Sequence, residues 1–372
     1  KHMLPNALIP VVNALGMQLA MVVGGTVVIE QVFSFPGIGQ YLLTGVSSRD
    51  YPVIRGSVLI LALFSAVITL LVDLFYAYLD PRIKEEGRKE IMAKQDKTPK
   101  PTRKKKQTQF SQIMGRLSRN KVAMGGLIVL IVIILAAIFA PLIAPYDPNY
   151  MDYTALNQTP SAAHIMGCDN LGRDIFSRIL YGGRYSLSLG LICAIIGMFF
   201  GVFFGTMVGY YGGQVDNIVM RICDVWMAIP ATLLAIIISA SLGSGFGYTI
   251  LALTVGGIPG SIRGTRAMAL KEREMEYLEA AKAMNCSEFK IMFEHMMPNI
   301  IAPTIVGTTG QIGATMMSAA GLSYIGLGIQ PPAAEWGAMC SAARDYIMKY
   351  PHMMIWPGVA ILITVLAINM LG

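Results

Sequence analysis

The residues able to do chemistry sit in a few short stretches of this 372-residue chain. Its five cysteines, Cys168, Cys193, Cys223, Cys286 and Cys340, stand far apart and form no Cys-x-x-Cys pair. They read as small buried residues, so no metal site and no disulfide framework is expected. No Gly-Lys-Ser/Thr phosphate loop occurs, so no ATP site and no catalytic residue is assigned to this chain. The most informative polar stretch is residues 271–299. There Glu272, Glu274, Glu276 and Glu279 mix with Lys271, Arg273 and Lys282, and Ala280-Ala281 adds a small flat patch. Ala and Glu favour helix, which predicts one over Glu272–Met284. Asn285 suits a left-handed C-cap, Ser287 suits the N-cap of a second stretch running to Met297, and Pro298 should close it. A short helix with a small-residue patch fits a groove on another protein, and an ordinary solvated loop helix is the alternative. His295 has no second ligand beside it and reads as packed or hydrogen-bonded.

Two other polar groups matter. Asp169, Arg173, Asp174 and Arg184 either touch a substrate-binding protein or pair with one another at a membrane surface, with pairing the weightier reading. Asp216, Arg221 and Asp224 follow, and the three-residue spacing of Arg221 and Asp224 predicts that these two neutralise each other on one helix face.

The elements that carry these residues are apolar. Hydrophobic residues make up 54% of the chain and charged ones 14%, against roughly a quarter charged in soluble domains. Long uncharged runs alternate with short charged ones, as in a polytopic membrane protein. The clearest span is Val122–Ala140, preceded by Arg116, Arg119 and Lys121, which places its start inside. Further spans are expected at Tyr185–Val208, Ile218–Leu242, Tyr248–Ala269, Ile300–Leu327 and Met353–Leu371, with kinks at Pro230 and Pro259. Six crossings from an inside start put residues 271–299 in the cytoplasm and Asp169 to Arg184 outside. Two more spans, Ala7–Ile29 and Val53–Tyr78, bring the total to about eight. No ionisable group is expected deep in a span apart from Asp73 near one end.

Residues 82–118 form a basic connector containing Arg103-Lys104-Lys105-Lys106. This reads as a disordered cytoplasmic linker whose charge sets topology and touches anionic lipid, which explains the net charge of +7 without nucleic acid. The chain also repeats itself. His2-Met3-Leu4-Pro5-Asn6 returns as His295-Met296-Met297-Pro298-Asn299, and Arg49-Asp50-Tyr51 returns as Arg344-Asp345-Tyr346. The expected organisation is therefore the tail of one unit over 1–81, the linker, and a second unit over 119–372. Met92 is a candidate start for the second unit, as if two neighbouring gene products were joined.

Glu279-Ala280-Ala281-x-x-x-Asn285, nine residues, then His295-Met296-Met297-Pro298 resembles the EAA loop of ABC importer permeases, with Asn285, His295 and Met297 where the family has Gly, Ile and Leu. Met166-Gly167-Cys168-Asp169-Asn170-Leu171-Gly172-Arg173-Asp174 and Gly183-Arg184-Tyr185-Ser186-Leu187 are similar to the "C"-type permeases of the dipeptide, oligopeptide and nickel class. Phe35-Pro36-Gly37-Ile38-Gly39 and Asp80-Pro81-Arg82 look like the end of the partner "B" type. The resemblance implies an all-α, type I importer transmembrane domain in a bacterial or archaeal cytoplasmic membrane. It implies that Glu279, Ala280, Ala281, Asn285, His295 and Pro298 belong to the coupling loop. It further implies two ATP-binding subunits that hold ATP and Mg, an extracytoplasmic binding protein and a complementary permease. The rivals are an ion-coupled secondary transporter and a non-transporting scaffold or fusion fragment.

Overall fold

A computed structural model describes residues 27, 29–31, 33–79 and 120–371. The expected span at Ala7–Ile29, the basic connector and the first copy of the His-Met-x-Pro-Asn repeat lie wholly or mostly outside these residues. The chain divides into two compact units, before and after Asn120. In the first, α1 (Ile38–Ser47) and the 29-residue α2 (Tyr51–Leu79) form a helical hairpin. Arg49 makes the turn between them with a positive φ of 56°, and Asp50 accepts a hydrogen bond from the Val53 amide at 3.2 Å.

The second unit contains α3 (Lys121–Ile138), the short α4 (Ala140–Ile143), α5 (Ile175–Tyr211), α6 (Gly213–Met227), α7 (Ala231–Leu242) and α8 (Phe246–Arg273). After these come α9 (Glu276–Ala283), α10 (Met297–Tyr324), α11 (Trp336–Ala342) and α12 (His352–Leu371). No strand longer than an isolated bridge, Cys168 with Asp174, occurs among the described residues. The fold is a bundle of membrane-spanning helices.

Glycine spacing decides how the central pair packs. Gly197, Gly201, Gly205 and Gly209 recur every fourth residue of α5 and so share one face. A side-chain carbon at Gly205 would lie 2.8 Å from the Ile262 carbonyl oxygen of α8, and one at Gly201 would lie 3.0 Å from that of Ser261. The two backbones meet at a distance only glycine permits, as helices do in membranes, where small residues replace the missing hydrophobic drive. Contacts advance together along both helices, Gly201 with Ser261, Gly205 with Thr265 and Gly209 with Ala269, so α5 and α8 run parallel.

Parallel neighbours require a return pass between them. Only α6 and α7 are available, and they meet at a 73° bend next to Pro230. A proline there removes a backbone donor and ends the helix. Pro259, by contrast, sits inside α8 with no break in the helix. α10 begins beside Tyr210, at the end of α5, and finishes beside α11, whose Trp336 indole reaches the Ile179 carbonyl near the start of α5. Direction therefore alternates through the unit. By length and composition four of the described helices can cross a membrane, and the bent pair makes a fifth. α8 and α10 fall short of that measure because they carry more polar residues.

Candidate functional site

The loop between α8 and α10 folds back against the ends of α5, α8 and α10. The single helix expected over Glu272–Met284 is two pieces, because Met275 is extended (φ −80°, ψ 136°) and separates the end of α8 from α9. That break turns α9 so that Leu278 and Ala281 face inward. Both are buried, at 1% and 3% exposure, against Tyr210, Ala269, Ile291, Met292, Met296 and Ile300. The expected flat Ala280-Ala281 patch is thereby divided: Ala281 packs inside while Ala280 and Glu279 remain exposed. The two are adjacent on a helix and so point about 100° apart.

The far end of α9 closes with a Schellman motif. The Asn285 amide donates to Lys282 O at 2.9 Å, and the Cys286 amide donates to Ala281 O at 3.1 Å. Asn285 takes the left-handed position with φ 59°, which asparagine tolerates better than other residues bearing a side-chain carbon. Ser287 then caps one helical turn, accepting from the Lys290 amide. Residues Ile291–Met296 follow in a π-helical register, and α10 continues straight through Pro298. Pro298 thus opens α10 instead of closing the preceding stretch. The widened turn before it accommodates a residue with no amide donor and a bulky ring.

A hydrogen-bond network that the sequence did not announce ties the loop's two ends together. The Tyr277 hydroxyl lies 2.7 Å from Glu272 Oε1 as donor and accepts from Asn299 Nδ2 at 2.8 Å. Asn299 Nδ2 also donates to the His295 carbonyl oxygen at 3.0 Å. Burial, together with the Glu272 carboxylate, pushes the Tyr277 hydroxyl above its ordinary pKa, so it stays a donor. His295 itself is half-buried and contributes its backbone carbonyl. Outward from this scaffold project Glu279, Ala280, Met284 and Phe289, the last two 74% and 69% exposed. The result is a braced protrusion with an acidic residue and two large apolar side chains on its free side.

At the opposite end of the bundle the polar group is mostly turned in on itself. Asp169 accepts from the Leu171 and Arg173 amides, each at 2.9 Å, and pairs with Arg173 Nε at 2.7 Å. Asp174 caps α5 through the Ser177 amide and hydroxyl, at 2.8 and 2.7 Å, and meets His164 Nδ1 at 2.9 Å. Asp169, Arg173 and Asp174 are all buried. Arg184 is exposed, but its guanidinium donates to Ala137 O at 2.7 Å and Ile138 O at 2.8 Å, the open carbonyl end of α3. Cys168 is buried beside this network, and burial pushes its thiol up to about 12. Among the described residues no group of three or more His, Cys, Asp or Glu side chains is placed to hold a metal ion.

The inner polar group corrects two expectations. Arg221 is exposed and does not pair with Asp224. Asp224 pairs with Arg263 and Asp216 with Arg266, both arginines on α8. Arg263 and Arg266 thus lie within the expected Tyr248–Ala269 span, which does carry ionisable groups. Spacing along α6 suggested a local partner, but the packing of α8 against α6 brings the Arg263 guanidinium to the Asp224 carboxylate, a partner that spacing within one helix does not reveal.

Comparison with known proteins agrees with this architecture. A family model described as "Binding-protein-dependent transport system inner membrane component" matches residues 1–85 and 201–372, more than half of the chain. The chain belongs to this family. A second model, the N-terminal transmembrane domain of oligopeptide transport permease C, matches residues 108–160. Among curated relatives, the glutathione transport system permease protein GsiD of Pectobacterium atrosepticum is 42% identical over 266 residues, covering 71% of this chain and 88% of that protein. GsiD of Escherichia coli O6:K15:H31 is 43% identical over the same share. As a family member the chain is an inner-membrane permease, the translocation component of an ABC importer.

Proposed function

We propose that this permease carries small peptides of the glutathione kind inward, driven by two separate ATP-binding subunits that grip the loop at residues 271–299. ATP and Mg belong to those subunits, an extracytoplasmic binding protein delivers cargo, and a complementary permease supplies the rest of the passage. About eight spans in two units, residues 1–81 and 119–372 with a basic connector between them, make up this chain's share. The cargo assignment is carried by likeness to permeases named for glutathione transport. The match of an N-terminal domain model to residues 108–160, well inside the chain, supports the two-unit reading.

The coupling role rests on one observation: α9 is fastened from beneath by Leu278 and Ala281 and braced by Tyr277, while Glu279 and Ala280 stay free. A protrusion held this way passes a push from a docked subunit directly to α8 and α10. Glu279→Arg reverses the charge on the free side without disturbing a buried contact. In a pull-down with the cognate ATPase subunits, capture should be lost. Unchanged capture would overturn the docking assignment.

A further inference from the structure

The Asp224–Arg263 pair links two separate helices, α6 and α8, and is nevertheless half-exposed. Its side chains are 54% and 45% exposed, whereas those of Asp169 and Arg173 are 13% and 3% exposed. Arg263 lies ten residues before the end of α8, about 15 Å along the helix. Charged side chains are costly against lipid tails, so this half-exposed face meets water, cargo or protein.

The neighbouring surface is open. A side-chain carbon at Gly257, Gly260 or Gly264 of α8 would meet no atom within 4 Å. These three lie on one face of the helix, and Arg263 borders it at about 60° from Gly260. On the other border α8 meets α10 across a recess of about 30 Å³, lined by Ser261, Thr308, Gln311 and Thr315. Thr254, 7% exposed, lines the same recess with its hydroxyl beside the Cys193 thiol, a weak partner that leaves hydrogen-bonding capacity for a polar ligand or water. One open face therefore carries uncharged hydrogen-bonding groups along one edge and a separable pair of opposite charges along the other.

We propose that Asp224 and Arg263 form the charge-recognising subsite of the passage, and that a peptide zwitterion exchanges into their ion pair. Arg263 takes the peptide's carboxylate, for which its planar fork of donors is suited, and Asp224 takes the ammonium group. The exchange conserves charge, since each residue trades one opposite charge for another. Because the pair is half-exposed, little is lost when it opens, unlike the buried Arg173–Asp169 pair. Peptide-bond groups of the cargo then face Gln311 and the hydroxyls. This deepens the peptide-importer reading and depends on it.

The test is uptake by the complete importer in liposomes with ATP, using a labelled peptide with a free carboxylate and the same peptide amidated. Each variant is expressed relative to wild type for the same peptide, so preferences of the binding protein cancel. Arg263→Gln should lower uptake of the free-carboxylate peptide at least about tenfold, the loss of one charge-assisted hydrogen bond, and that of the amide far less. Arg263→Lys should restore part of the difference. A fall by the same factor for both peptides would overturn the proposal. So would full recovery of both by the swap Arg263→Asp with Asp224→Arg, because the pair would then only hold α6 to α8 or seat a second permease. Wild-type importer that accumulates neither peptide would instead overturn the peptide-importer reading itself.

Discussion

Leu278→Ala separates the support of the coupling loop from its docking. α9 has eight residues, about 12 Å of helix, and isolated helices of that length are not stable in water. Its order must come from packing, and Leu278 is the larger of its two buried side chains, at 1% exposure. Truncating a fully buried leucine costs about 2–5 kcal/mol, which is roughly a 30-fold to several-thousand-fold rise in the population with α9 detached. Hydrogen exchange of the Glu276–Ala283 amides in nanodiscs reads this population directly. Protection there should drop by that factor while α5 and α8, packed together along the α5 glycines, stay protected. Met284→Ala is the matched control: the side chain is 74% exposed, so exchange should change by less than about 0.5 kcal/mol even as ATPase capture weakens. Unaltered protection of α9 in Leu278→Ala would refute the claim that this one anchor holds the loop in place.

Two further outcomes follow from single residues. Asn285→Ala places a side-chain carbon at φ 59° without asparagine's local tolerance and should destabilise the loop by about 1 kcal/mol, whereas Asn285→Gly should be neutral or slightly stabilising; thermal unfolding of the two variants in detergent checks the sign. Glu335 is buried beside Ser186, 3.2 Å away, and caps α11 through the Ala338 amide at 2.8 Å. Burial raises its carboxyl above the ordinary 4.5 despite those donors. The folded state then keeps a proton that the unfolded chain releases, so the contribution of Glu335 is full below the ordinary range and fades as pH climbs through the raised value. Glu335→Gln should flatten that slope in a series of melting temperatures against pH, and an unchanged slope would count against the assignment.

Much of this molecule was legible from residue types because short-range rules govern the parts concerned. Asn285 and Ser287 are read correctly as caps since capping depends on one side chain and its own backbone. The apolar runs name their helices because lipid demands them. What could not be read depends on partners distant in sequence. The split at Met275 follows from Leu278 and Ala281 seeking Tyr210 and Ile300, which neither local propensity nor spacing reveals. Pro298 looks like a terminator until the π-helical turn before it absorbs the missing donor. Arg263 and Arg266 lie inside an apolar run, and two arginines three apart in a span signal carboxylates on a neighbouring helix, here Asp224 and Asp216. Tyr277 and Asn299 are 22 residues apart, and only the fold brings them together.

The measurement that bears most directly on the central claim is accumulation of labelled glutathione by liposomes. They would hold this chain, its complementary permease and the ATPase subunits, with binding protein outside. Uptake is expected only with ATP inside, to be lost with Glu279→Arg, and to be indifferent to a proton ionophore. Uptake that persists without ATP and collapses when the ionophore is added would contradict the account and establish an ion-coupled carrier instead.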